Sequence, residues 1–172
     1  MYDAIKEFDS LYTMPNLCNI DKNKPLAVLT MHRAENIIDL DRCKKIIKFC
    51  EPFCDTYNVI FPVHPNTKNK IDIYNLDISS FSCCSPLSYL EMQGLLSEAE
   101  LVLTDSGGLQ KEAYFHGCEC ITLRDETEWN ETVKNGWNRL WTDLTGPKIP
   151  RNQIQEYGCG DTAQKILDIY KG

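Results

Sequence analysis

Three features of the sequence predict an α/β fold in which a parallel sheet carries helices on both faces. Short runs rich in Val, Ile and Leu recur, each is followed by a loop and then a segment with helical spacing, and this strand, crossover, strand rhythm repeats along the chain. Strands that are apolar throughout need cover on both sides, and parallel sheets receive it from their crossover helices. Leu26–Met31 reads as a buried strand, and Leu40–Tyr57 as one amphipathic helix with apolar residues at 40, 43, 46, 47, 50, 54 and 57. Val59–Val63 is the next strand; Pro65 and Asn66 open a short helix to about Tyr74. A weak strand around Phe81–Cys83 precedes a helix over Leu90–Glu98. Leu101–Thr104 is the third clear strand, followed by Asp105-Ser106-Gly107-Gly108 and a helix from about Leu109 to His116 that Gly117 closes. Cys120–Leu123 is the fourth. Ala163, Ile166, Leu167 and Tyr170 stand at helical spacing in the tail, which should therefore pack back on the body.

Composition bounds the function. A chain of 172 residues reads as one domain with roughly 70% of its surface buried on folding. With 18 Lys and Arg against 25 Asp and Glu, the net charge is −7, which argues against nucleic acid or an anionic membrane surface as partner. Met1–Glu7 is charged where a signal peptide is apolar, and no apolar run approaches the roughly 20 residues that span a bilayer. The nine cysteines lie inside apolar patterns rather than between loops, and their odd number points to reduced thiols in a cytoplasmic compartment. His116, Cys118 and Cys120 alternate along an incipient strand, but no Cys-x-x-Cys pair accompanies them, so no metal site is expected.

In a parallel sheet, ligands bind beyond the carboxyl ends of the strands. The loops there carry His32-Arg33-Ala34-Glu35-Asn36, His64-Pro65-Asn66, Asp105-Ser106-Gly107-Gly108 and Arg124-Asp125-Glu126-Thr127-Glu128, all of which should share one rim. Ser106-Gly107-Gly108 before a helix suits a phosphate or diphosphate, because glycines admit close backbone approach and the helix N-terminus offers free N–H groups and partial positive charge. The same string reads equally as an ordinary capped turn. Glu112, one turn later, could accept from sugar hydroxyls, though alone it reads as a solvated helix charge. His32 and Arg33 could clamp a diphosphate; His64 holds the same position one strand over, or merely starts a helix. Trp129, Trp137 and Trp141 read as packing for the last strand–helix units rather than as base-stacking groups.

The strings Leu29-Thr30-Met31-His32-Arg33-Ala34-Glu35-Asn36, Pro62-Val63-His64-Pro65-Asn66, Pro86-Leu87-Ser88-Tyr89-Leu90, Leu103–Ala113 and Leu123–Trp129, in this order, resemble the non-hydrolysing UDP-N-acetylglucosamine 2-epimerases, and the resemblance runs over nearly the whole chain. It implies one half of a glycosyltransferase-B-like fold: residues 1–172 would be a Rossmann-like, doubly wound UDP-binding domain, the family's C-terminal one. The reaction it implies interconverts UDP-N-acetylglucosamine and UDP-N-acetylmannosamine by elimination of UDP to a glycal and its re-addition, with no cofactor and no metal. The proton-transfer carboxylates belong mostly to the N-terminal domain, so this chain alone should be inactive; its partner would be that missing half or a second copy.

The resemblance also assigns residues. Ser106, Gly107 and Gly108 match the diphosphate-holding positions, Glu112 the carboxylate on the ribose hydroxyls, and His32 the histidine that assists departure of UDP by neutralising developing charge. Arg33 and His64 match positions that in bacterial members contact a second, regulatory UDP-sugar. Met92 stands where the family commonly has a Phe near the uracil, and Trp129 where an Arg often follows the Thr-Glu pair; the Trp marks a subgroup acting on a related UDP-amino sugar. Two other readings compete: a non-catalytic UDP-sugar binding or regulatory module, and a related UDP-sugar glycosyltransferase domain, against which the intact His-Arg-Ala-Glu-Asn string argues.

Overall fold

The computed structural model describes residues 1–17 and 20–171, leaving Cys18 outside. Its sheet has six strands, all parallel: β1 (Leu26–Thr30), β2 (Asn58–Pro62), β3 (Ser82–Cys84), β4 (Ala99–Thr104), β5 (Glu119–Thr122) and β6 (Asn138–Leu140), in the spatial order β3-β2-β1-β4-β5-β6. The order reverses between β1 and β4, and the loops leaving two adjacent strands there diverge to opposite faces and open a crevice.

Alternate side chains of the strands feed two separate cores, which is why the runs are apolar throughout. Ala27, Leu29, Val59, Phe61, Leu101, Leu103 and Ile121 face α3 (Leu40–Cys50) and α4 (Pro65–Ile73). Val28, Ile60, Val102 and Cys120 face α5 (Tyr89–Glu98) and α6 (Gly107–Phe115). The cysteines of the described residues are free thiols, and those buried in these cores act as small apolar groups. Burial holds the Cys118 thiol up at about 12 against the lowering pull of Arg151, and pushes those of Cys50 and Cys120 well above their usual value. Among the described residues no group of three or more His, Cys, Asp and Glu side chains converges as a metal site. No helix among them is long and apolar enough to cross a membrane.

Local chemistry sets the element ends. Asp39 accepts from the Arg42 amide at 2.7 Å to cap α3, and Ser88 with Glu91 forms a capping box on α5. The helix expected over Leu40–Tyr57 stops at Cys50, because Pro52 has no N–H to give, and residues Glu51–Asp55 tighten into a 3-10 turn. Shorter elements escape the periodicity: α1 (Tyr2–Glu7), α2 (Ala34–Ile37), α7 (Asn130–Lys134) and β6.

The tail forms the expected helix, α8 (Thr162–Lys171), but it does not bury its apolar stripe. Ile166 is 49%, Leu167 50% and Tyr170 85% exposed. Its attachments are polar and lie at its start, where Asp3 accepts from the Ala163 amide and Lys6 donates to the Cys159 carbonyl at 3.1 Å.

Candidate functional site

The crevice between the ends of β1 and β4 is organised around Asp105, a fully buried carboxylate immediately after β4. It accepts from the backbone amides of His32 (3.0 Å) and Arg33 (2.8 Å) and from the Asn36 side chain (3.1 Å). His32 Nδ1 lies 3.3 Å from the same carboxylate. A carboxylate can only accept, so Nδ1 faces it as the protonated nitrogen and Nε2 is turned toward the crevice. Asn36, also buried, ties this loop to β5 through the Leu123 carbonyl (2.9 Å) and accepts from Arg42 Nε (2.8 Å). Arg124 then joins Glu35 (2.8 Å) to Glu128 (2.7 Å) across the rim. Residue type alone gives Asp105 and Asn36 no role; the available signal is an acid placed between the strand end and the Ser-Gly-Gly turn.

Ser106 caps α6, its hydroxyl accepting from the Leu109 amide, while its own amide donates to Thr104 Oγ1 at 2.9 Å. The two glycines differ. Gly107 is buried, its carbonyl accepting from the Trp129 indole at 2.8 Å, and a Cβ there would come within 2.6 Å of Glu128 Oε1. Gly108 is open, with nothing closer than 3.9 Å to such a Cβ. Trp129 is thus neither packing alone nor a stacking surface: it pins the turn that presents the first amides of α6, with Lys111 Nζ 3.5 Å above its ring.

His32, His64, Met92, Ser106, Gly108 and Glu112 together line one cleft of about 320 Å³, with Pro86 and Leu87 as an apolar wall. The structure does not bring Gly107 or Arg33 to it: Gly107 lies beneath the turn, and Arg33 contributes its backbone amide to Asp105 while its side chain sits exposed on the rim. The His32 and His64 rings stand 6.2 Å apart; His64 Nδ1 accepts from the Asn66 amide at 3.2 Å, so it also starts α4. Among the described residues Glu112 is the one carboxylate lining the cleft. It is half-buried, and that burial raises its carboxyl above the usual carboxylate range, opposed by the neighbouring Gln93 amide. Gly108 and Glu112 are four residues apart on α6, roughly 6 Å along its axis. One wall of the cleft therefore carries helix N–H groups for an anion, then a carboxylate acceptor for hydroxyl groups, with an apolar surface beside them.

The sequence profile described as UDP-N-acetylglucosamine 2-epimerase matches residues 1–171. This chain belongs to that family. It is 41% identical to a UDP-N-acetylglucosamine 2-epimerase homolog of Methanococcus maripaludis over 99% of its own length and 52% of the relative's. It is also 37% identical to the UDP-N-acetylglucosamine 2-epimerase of Methanocaldococcus jannaschii, over 83% of this chain and 43% of that one. The fold matches the solved structure of the M. jannaschii enzyme with a TM-score of 0.77 at 31% identity, over 98% of this chain and 49% of that one. The structure of that enzyme in complex with UDP-GlcNAc and UDP matches with a TM-score of 0.71 at 30% identity, covering 98% of this chain and 48% of the other. The chain spans about half the length of the relatives it matches.

Proposed function

We propose that this chain is the UDP-binding half of a UDP-N-acetylglucosamine 2-epimerase, one Rossmann-like domain whose active site is completed by an N-terminal half, either joined to it in one protein or paired with it as another chain. The observation that carries this reading is the wall of the cleft formed by α6, where Ser106, the Gly108 amide and Glu112 follow one another along nearly two helical turns. A nucleoside diphosphate presents groups in that order. The diphosphate sits on the helix N-terminus, the ribose hydroxyls donate to Glu112, and the base lies toward Met92 and Leu87. His32, turned toward the same space by Asp105, neutralises charge on UDP as the bond from sugar C1 to the diphosphate oxygen breaks. The proton lost from C2 in that elimination returns to the opposite face as UDP re-adds, so atoms balance without any redox step.

The carboxylates that would move this proton are not among the described residues of the cleft, where Glu112 is committed to the ribose. They belong to the partner half, and the cytoplasm, where UDP-sugars are made, is the compartment that fits. His32, Ser106 and Glu112 suit an enzyme and a nucleotide-holding module alike, so turnover by the completed cleft separates the two readings.

Mixing this chain with the N-terminal half of the M. maripaludis relative and following both UDP-sugars by chromatography tests the reading. The mixture is expected to interconvert them and the isolated chain to be inactive. Robust turnover by the isolated chain, or epimerisation by the mixture that survives His32→Asn undiminished, contradicts it.

A further inference from the structure

Gln93 on α5 is fully buried, which is unusual for a glutamine, and only half of its amide is satisfied. Its Oε1 lies 2.8 Å from His116 Nε2, whereas its Nε2, also buried, has no hydrogen-bond partner. His116 ends α6 one turn beyond Glu112, and its backbone amide donates to the Glu112 carbonyl at 3.0 Å. Residues four apart on a helix share a face, so a side chain bonded to His116 runs alongside Glu112.

We infer that Gln93 is a positioning residue for Glu112, its Nε2 donating to the carboxylate that holds the ribose, with His116 fixing which end of the amide faces that carboxylate. This rests on the nucleotide reading above. Oε1 can only accept, so His116 Nε2 carries the proton in this pair. Rotating the amide by half a turn would set its oxygen against the Glu112 carboxylate and its NH₂ against the imidazole N–H, so the chain His116, Gln93, Glu112 has one favourable sense. Burial holds His116 below its usual pKa, so it serves as a neutral donor near pH 7. The Gln93 amide is also the largest influence holding the Glu112 carboxyl down against burial. The N-terminal ammonium of Met1 also lowers the Glu112 carboxyl, and Tyr12 and Tyr89, whose phenols are raised by burial and in part by Glu112, stand nearby; the Tyr12 ring stands 5.8 Å from that of His116. A carboxylate held this way keeps the acceptor directions it needs for two adjacent hydroxyl groups.

Calorimetry with UDP and 2′,3′-dideoxy-UDP, whose ribose lacks both hydroxyls, separates positioning from packing. The wild-type chain is expected to prefer UDP by about tenfold or more, and Glu112→Gln to lose most of that preference. Gln93→Met, which keeps length and apolar volume, should cut the preference about three- to tenfold with affinity for the dideoxy nucleotide unchanged. Since Gln93→Met alters a buried site, His116→Leu provides a second reading: with the amide free to rotate, the preference should fall in the same direction. Loss of affinity for both nucleotides alike, or an intact preference in both variants while Glu112→Gln loses it, overturns the role of Gln93 and leaves the nucleotide site standing. No preference in the wild-type chain, or no binding of UDP, overturns the nucleotide reading and this inference with it.

Discussion

Asp105 illustrates how one buried charge is made tolerable and then used. Its carboxylate is taken out of water but receives donors from His32, Arg33 and Asn36, which replace the lost solvation and at the same time fix the loop that carries His32. Asp105→Asn turns an amide NH₂ toward those donors, so it should cost about 2–4 kcal/mol of stability in urea denaturation; a loss below about 1 kcal/mol would show that the loop holds itself. Glu112 carries the opposite bargain. Its carboxyl is raised in the folded chain, so its contribution to stability is full below the ordinary carboxylate value and is lost as pH rises through the raised one. Glu112→Gln should therefore raise the urea midpoint at pH 7 and leave it nearly unchanged at pH 4, while weakening UDP by about 1–3 kcal/mol. A variant destabilised at pH 7 would mean that the carboxylate serves the fold. Neither effect was legible from residue types, because Asp105 and Glu112 both read as ordinary surface acids until the sheet closes over them. Resemblance supplied Glu112 with a role, but nothing in the string identified Gln93 or Asp105 as its counterparts.

Helix α6 and the turn before it hold most of the candidate site. The sequence announces this element well, with a hydroxyl cap, paired glycines and Gly117, whose φ of +76° closes the helix in the left-handed region. What it does not announce is that the glycines have different tasks. Gly107 is small because Glu128 and Trp129 lie over it; Gly108 is small toward the cleft. Gly108→Ala should thus leave stability unchanged or raise it by up to about 1 kcal/mol, since alanine favours the helix, yet weaken UDP at least about tenfold by holding the diphosphate off the amides. Paired denaturation and calorimetry would check both, and unchanged UDP affinity would place the diphosphate elsewhere. The failures among elements have equally local causes. Pro52 ends α3 early, and α1, α2 and α7 are too short for a 3.6-residue period to register.

The strand order β3-β2-β1-β4-β5-β6 puts the His32 and Ser106 loops side by side although they are far apart in sequence, and that adjacency makes a site out of separate motifs. Continuous apolar strands made the parallel sheet legible, because burial on both faces leaves no room for alternation; the order of the strands is a tertiary choice with no local trace. The same holds for α8, whose stripe predicts a buried helix but leaves Ile166, Leu167 and Tyr170 half or more exposed. A net charge of −7 repels an anionic ligand at long range, so affinity must come from the few groups converging on one rim. Titration of UDP into the wild-type chain and its Ser106→Ala variant by calorimetry tests that claim most directly. Binding at one site by the wild type and a loss of about 1–3 kcal/mol in the variant, from the hydroxyl at the diphosphate, are expected; no binding of UDP, or equal affinity in both proteins, would contradict a site built from these few groups.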